Sequence, residues 1–143
     1  MKTDSPSLNT RVSEVLTLPG KEPQTLLLVE DDEINQMTIQ KFIGSKYNII
    51  ITDSSDKALE ILKKKKVDII LMDISIRGKK NGLELTKELK ASKEFSHIPV
   101  IAVTAHAFEE DKQNALKAGC DGYLAKPFTK ESLLNLIAGY THK

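Results

Sequence analysis

Residues 26–32 read LLLVEDD, four consecutive apolar residues followed by three acids. Four apolar residues without polar alternation are typical of a strand that is buried on both faces of a parallel sheet. Acids that directly follow such a strand lie at its carboxyl end, where open α/β sheets bind their ligands. This stretch therefore predicts an α/β fold with a functional site immediately after the first strand.

The same pattern continues to the end of the chain. Further apolar runs occupy residues 49–51, 67–72, 98–103 and 123–125. Segments of helical length lie at about 33–45, 55–65, 82–92, 107–118 and 130–140. Leu133, Leu136 and Ile137 have the spacing of an apolar helix face. Five strand–helix units predict an open parallel sheet with helices on both faces.

Composition limits the classes of function. The 143 residues include 40% hydrophobic and 29% charged residues, which is typical of one globular domain. The net charge of +1 gives no electrostatic reason to expect a nucleic acid or an anionic membrane as partner. A single cysteine, Cys120, excludes a disulfide and a cysteine-based zinc site within one molecule.

The first part of the chain differs from the rest. Three of the five prolines (Pro6, Pro19 and Pro23) precede residue 25, so we expect a flexible N-terminal tail or linker at residues 1–24 and one domain at 25–141. The N-terminus MKTDSPSLNT lacks the apolar region of a signal peptide. No apolar run approaches the roughly 20 residues of a membrane span, and we predict a cytoplasmic protein.

Polar residues with matching chemistry follow several of the predicted strands. Glu30 and Asp31 follow the first, Asp73 the third, Thr104 the fourth and Lys126 the fifth. Because the carboxyl ends of parallel strands share one edge of the sheet, we expect these side chains to converge there. Taken singly, each could be a helix cap, a loop acid or a surface lysine; together, at the ends of successive strands, they indicate a site.

The convergence also suggests a chemistry. Clustered carboxylates repel one another, and a hard cation such as Mg²⁺ would relieve the repulsion because it prefers oxygen ligands. Glu30, Asp31 and Asp73 contribute −3, which Mg²⁺ and Lys126 would balance. Such a neutralised site could accept a phosphoryl group on one carboxylate.

Four stretches carry a family resemblance: LLLVEDDEINQ (26–36), VDIILMDI (67–74), VIAVTAHA (100–107) and AGCDGYLAKPF (118–128). The chain resembles a response regulator receiver domain, the phospho-acceptor module of two-component signalling, over about residues 25–140. It looks most like the receivers of hybrid sensor kinases and phosphorelays. The resemblance implies a (βα)5 flavodoxin-like three-layer sandwich, with a five-stranded parallel sheet in the order 2-1-3-4-5.

The resemblance also implies an acidic pocket with assigned roles. Asp73 would be phosphorylated, and Asp31 would bind Mg²⁺ directly, with Mn²⁺ as an alternative metal. Glu30 would complete the pocket through a water molecule, and the backbone carbonyl of Ser75 would face the metal. The loop after Asp73 lacks the usual Met-Pro or Leu-Pro and is one residue longer than the commonest spacing. The sequence therefore does not decide which carbonyl of this loop faces the metal.

Other positions would respond to the phosphoryl group. Lys126 would pair with it, and the bond from Lys126 to Pro127 would be cis. Thr104 and Tyr123 would form the switch pair. His106, two residues beyond Thr104, is a candidate modulator of the phosphoryl lifetime.

The implied partners are a histidine kinase or a histidine phosphotransfer protein, with no nucleic acid and no membrane. Output would use the fourth helix, fifth strand and fifth helix of a monomer or a weak phosphorylation-dependent dimer. The module would not be an enzyme in the usual sense, although it would catalyse its own phosphoryl transfer and slow dephosphorylation. A receiver-like interaction module that is never phosphorylated, a flavin-binding protein of the same topology and an aspartyl-phosphate phosphatase remain alternatives.

Overall fold

The structure is a computed structural model that describes residues 23–74, 76, 80–105 and 108–141. The strands within these ranges are β1 (Thr25–Val29), β2 (Asn48–Thr52), β3 (Ile69–Asp73), β4 (Val100–Thr104) and β5 (Gly122–Ala125). The helices are α1 (Glu33–Ile43), α2 (Ser55–Lys64), α3 (Gly82–Ala91), α4 (Glu109–Ala118) and α5 (Lys130–Thr141). Strand and helix alternate as predicted.

All five strands run parallel in one sheet, in the order β2-β1-β3-β4-β5. Leu27 of β1 pairs with Ile50 of β2 on one side and with Ile70 of β3 on the other. The predicted fold class and strand order are confirmed. Because the chain leaves β1 towards β2 and then returns across it to β3, the strand order reverses beside β1, where ligand sites of such sheets form.

Helices cover both faces of the sheet, which explains the uninterrupted apolar runs. Alternate strand residues point to opposite faces, so Leu27 and Met72 pack with Leu85 of α3. Their neighbours Leu28 and Leu71 join the cluster on the opposite face. That second cluster also contains residues of α1 and α5, namely Ile39, Ile43, Leu133 and Ile137. Every residue of the quartet Leu26–Val29 is at most 1% exposed.

Two helix ends show how local sequence sets the bounds. Asp32 caps α1, its side chain accepting a hydrogen bond from the Asn35 backbone N–H. The α1 helix ends at Ile43, two residues before the predicted end, because Gly44 has a φ of 58°. This left-handed conformation favours glycine and stops the helix.

The predicted tail at residues 1–24 falls almost entirely outside the described residues, so the domain division stays a prediction. Within the described ranges, no helix combines the length and the apolar character that crossing a membrane requires.

Candidate functional site

Three carboxylates meet at the carboxyl end of β1 and β3. Glu30 follows β1 and is 1% exposed, Asp73 ends β3 and is 4% exposed, and Asp31 is open to solvent. Each offers a carboxylate oxygen, and these oxygens lie within 4.8 Å of one another. Two ligands of one Mg²⁺ ion, bound at 2.0–2.1 Å, lie at most about 4.2 Å apart. Three carboxylates gathered this closely are the oxygen-only set that a divalent hard cation such as Mg²⁺ prefers.

Glu30 is the most constrained member of this group. Its backbone N–H donates to the Thr52 carbonyl at 2.9 Å, and its carbonyl accepts from Gln36 Nε2 at 2.6 Å. Its side-chain Oε2 accepts from the Asp32 backbone N–H at 3.1 Å. Burial raises the pKa of Glu30 to about 7, reinforced by a hydrogen bond to Asp73 and by its charge. Protonation of Glu30 or a nearby cation would therefore relieve the cost of burying its negative charge.

Lys126 supplies one positive charge to this pocket. Its Nζ lies 3.1 Å from Glu30 Oε1 and 3.6 Å from Asp73 Oδ2. The residue follows β5, and its backbone N–H donates to the Thr104 carbonyl at 2.7 Å. The Lys126–Pro127 peptide is cis. The end of the fifth strand thus brings the ammonium to acids at the ends of the first and third strands.

Thr104 and Tyr123 occupy neighbouring strands beside the pocket. Thr104 ends β4, pairs with Ala125 of β5 and is 1% exposed. Tyr123 pairs with Ala102 of β4 and is partly buried against the core on the face covered by α2, α3 and α4. Partial burial raises the pKa of Tyr123, as do the nearby acids Asp111 and Glu109. Its phenol therefore remains a neutral hydrogen-bonding group at physiological pH.

Two positions that matter for the geometry were not expected from the sequence. Gln36, whose side-chain amide donates to the Glu30 carbonyl, lies one turn after the N-cap of α1. In the sequence, only its polar character at this spacing indicated such a contact. Gly82 packs against the backbone of Asp73, and only the Asn81-Gly82 helix start hinted at it. Ser75 and His106 lie outside the described residues, so their expected roles stay predictions.

A cavity of about 400 Å³ opens beside Lys126, between α1 and the segment after β5. Its lining is mainly apolar and includes Asn35, Thr38, Ile39, Ala105, Lys126, Pro127 and Phe128. Phe128 also meets Phe42 of α1 edge to face, with 6.2 Å between ring centroids. The acidic pocket is therefore bordered on this side by apolar surface.

Comparison with known proteins identifies the fold and its family. The family model for the response regulator receiver domain matches residues 26–138. The polar-differentiation response regulator DivK of Brucella anthropi is 38% identical over 119 residues, covering 82% of this chain and 96% of that protein.

Solved structures agree with this match. The receiver domain of the sensor histidine kinase PA1611 from Pseudomonas aeruginosa PAO1, described with a magnesium ion coordinated in its active site cleft, is 32% identical with a TM-score of 0.77. The match covers 85% of this chain and 99% of that one. The signal receiver domain of a histidine kinase from Syntrophus aciditrophicus, at 22% identity, shares the fold with a TM-score of 0.76 over 83% of this chain and 90% of its own. The chain belongs to the response regulator receiver domain family of two-component signalling.

Proposed function

We propose that this receiver accepts a phosphoryl group from a phosphohistidine onto Asp73, in a reaction that requires Mg²⁺ or Mn²⁺. The observation that carries the proposal is the buried Asp73 carboxylate with Glu30, Asp31 and Lys126 around it: Lys126 Nζ is 3.6 Å from Asp73 Oδ2, and the three acids each offer an oxygen within 4.8 Å of the others. A carboxylate in this setting is a nucleophile placed among groups that can balance the charge of a phosphoryl group.

The reaction exchanges one bond to phosphorus for another. An Asp73 carboxylate oxygen attacks the phosphorus, an O–P bond forms, and the N–P bond to the donor imidazole breaks. The imidazole leaves with the bonding electron pair and takes up a proton as required by the pH. Divalent metal, when bound, supplies positive charge to the phosphoryl oxygens.

The protein's own contribution is to position and neutralise charge. Asp31 is the exposed carboxylate able to bind metal directly, whereas the constrained Glu30 would act through water. Lys126 would leave Glu30 and pair with the phosphoryl group. Ser75 would offer its backbone carbonyl to the metal, and His106 would influence the phosphoryl lifetime.

The phosphorylated aspartate would bias a two-state switch. A phosphoryl group carries about −1.5 to −2 charge at neutral pH, which would draw the Thr104 hydroxyl towards it and let Tyr123 turn inward. Moving a population from 1:99 to 99:1 takes about 5.5 kcal/mol. Hydrogen bonds to a charged group contribute about 1.5–3 kcal/mol each, so two strong ones or about four weak ones are sufficient. The readout would be the surface formed by α4, β5 and α5.

The partners follow from this chemistry. A histidine kinase or a histidine phosphotransfer protein would donate the phosphoryl group, and output would proceed by protein contact as a monomer or a weak phosphorylation-dependent dimer. The receiver would catalyse its own phosphorylation and slow dephosphorylation without acting on a separate substrate. We propose that it works in the cytoplasm, without nucleic-acid or membrane binding.

Intact-mass spectrometry after incubation with acetyl phosphate tests the proposal. We expect one added phosphoryl group in the presence of Mg²⁺, none with a chelator, and none in Asp73→Asn. The matched control is Asp53→Asn. Asp53 is an exposed acid that follows β2 at the same edge of the sheet and forms an ion pair with Lys57. This variant should label like the wild type. Labelling of Asp73→Asn, or an unlabelled wild type that also fails to bind Mg²⁺, would favour the unphosphorylated interaction module.

A further inference from the structure

Gly82, the first residue of α3, lies directly against the backbone of Asp73. A Cβ atom built on Gly82 would stand 2.6 Å from the Asp73 carbonyl oxygen and 2.6 Å from Ile74 Cα. Ordinary van der Waals contact begins at 3.4 Å. Any side chain here would therefore push α3 and the end of β3 apart by about 0.8 Å, the difference between these two distances. Both neighbouring groups are main chain, so neither can rotate out of the way.

The start of α3 is fixed by its own hydrogen bonds. Asn81 Oδ1 accepts from the Glu84 N–H, and Glu84 Oε1 accepts from the Asn81 N–H, each at 2.9 Å. This reciprocal capping box fixes the first turn of the helix. The buried Thr86 hydroxyl donates to the Gly82 carbonyl at 2.8 Å. Gly82 is therefore held where it contacts Asp73 and cannot relax away easily.

A second anchor ties the segment before Gly82 to the start of α2. The buried Ser55 hydroxyl, at the start of α2, donates to the Lys80 carbonyl at 2.8 Å. Lys80 also forms an ion pair with Glu88 of α3. The residues that lead into Gly82 are thus attached both to α2 and to the helix they precede.

We propose that Gly82 is a positioning residue for phosphoryl transfer: its lack of a side chain lets α3 seat against the Asp73–Ile74 peptide and sets the position of the Asp73 carboxylate. The inference rests on the proposed phosphorylation of Asp73. Sheet pairing fixes the other side of this backbone, since the Ile74 N–H donates to the Val103 carbonyl. The start of α3 contacts the part of the Asp73–Ile74 backbone that β4 does not bind.

The expected effect follows from the size of the overlap. A misplacement of about 1 Å can slow a positioned reaction by about a hundredfold. A displacement of 0.8 Å, shared between helix and strand, should slow phosphoryl uptake by about tenfold or more. Loss of a glycine from a helix normally stabilises it, so a slower reaction would not be the ordinary consequence of this substitution.

The experiment compares Gly82→Ala with Gly139→Ala. Gly139 also lies in a helix, α5, but an added Cβ would meet no atom within 4 Å. The rate of phosphoryl uptake from acetyl phosphate at saturating Mg²⁺ is measured by intact mass for both variants and the wild type. The backbone amide resonances of Asp73 and Ile74 are recorded by ¹H–¹⁵N correlation spectroscopy in the same samples.

We expect Gly82→Ala to react at least about tenfold more slowly, with shifted Asp73 and Ile74 resonances, and Gly139→Ala to match the wild type. A folded Gly82→Ala variant with the wild-type rate overturns the inference. If the wild type itself takes up no phosphoryl group, the proposed phosphorylation fails instead. Unmoved Asp73 and Ile74 resonances in Gly82→Ala would separately overturn the positioning role of Gly82.

If Gly82→Ala does not fold, Thr86→Val decides the matter, because it removes the hydroxyl that holds the Gly82 carbonyl while keeping the side-chain shape. Thr86→Ser retains the hydroxyl and should restore the rate. Equal uptake by Thr86→Val and the wild type would overturn the inference.

Discussion

The Lys126 ammonium donates to Glu30, with 3.1 Å between Nζ and Oε1. Its distance to Asp73 Oδ2 is longer, at 3.6 Å. In the unphosphorylated protein the lysine is therefore shared between two buried carboxylates and stays closer to the one that is not the proposed phospho-acceptor. A phosphoryl group on Asp73 would compete with Glu30 for Lys126. The pair of Lys126 with Glu30 is therefore a feature of the unphosphorylated state.

Replacing Lys126 by methionine should destabilise the metal-free protein at pH 8. The change leaves Glu30 and Asp73 without their shared cation, and breaking a buried ion pair from one side costs about 3 kcal/mol. Urea unfolding in the presence of a chelator measures the loss. Mg²⁺ should recover part of it, because the metal replaces the missing positive charge. Lys130→Met, which removes an exposed lysine from the first turn of α5, should leave stability nearly unchanged.

The raised pKa of Glu30 predicts a distinctive pH dependence. Because its pKa is about 7 in the folded protein and 4.5 ordinarily, the unfolded chain loses this proton first as the pH rises. Between pH 4.5 and 7 the folded state binds more protons, so this group makes stability fall with rising pH, by about 3 kcal/mol in total. Above pH 7 its contribution is constant.

Comparing the wild type with Glu30→Gln isolates that contribution. Urea unfolding at several pH values, without metal, should show a wild-type free energy of unfolding that falls relative to the variant between pH 4.5 and 7. Parallel curves for the two proteins would contradict the assignment. Saturating Mg²⁺ should flatten the wild-type curve, because a bound cation favours the ionised carboxylates.

Much of this arrangement could be predicted from the sequence, for a physical reason. Strands buried on both faces must be apolar throughout, so LLLV at 26–29 is informative by itself. Parallel topology then forces Asp73 and Lys126 towards Glu30, whatever the details of packing. The end of α1 was harder to predict from the sequence, because the apolar pattern does not reveal the left-handed conformation of Gly44.

Quantities that depend on close packing could not be predicted. The pKa of Glu30 follows from its burial, and the contact of Gly82 with Asp73 follows from how closely the start of α3 approaches the end of β3. Neither the burial nor the closeness of this approach is local to a motif. The same holds for the Lys126 distances, since a sequence places the ammonium at the pocket without saying which carboxylate it meets.

Thr104 provides a test of the switch. Its hydroxyl is buried at the end of β4, and we expect Thr104→Val to retain phosphoryl uptake but to weaken the response of α4 and β5. Losing one hydrogen bond to a charged group, about 2 kcal/mol, would reduce a 99:1 active population to about 3:1. Amide resonances of phosphorylated protein, which average over the two states, report this population. Thr104→Ser keeps the hydroxyl and should behave like the wild type; identical spectra for valine and serine variants would exclude the proposed role.

Asp121, at the opposite end of the sheet, should affect stability without affecting phosphorylation. Its Oδ2 accepts from the Val100 backbone N–H at 2.8 Å and from Lys90 Nζ at 2.9 Å. Val100 is fully buried, so Asp121→Ala leaves its N–H without this acceptor, at a cost of about 1–3 kcal/mol. Asp121→Asn retains a carbonyl oxygen for Val100 and should cost less.

Urea unfolding gives the stability change, and acetyl phosphate labelling gives the activity. Because the pair lies at the amino ends of β4 and β5, away from Asp73, both variants should label as fully as the wild type while folded. A labelling defect that tracks the alanine variant's stability loss even under folding conditions would show that the two ends of the sheet are coupled.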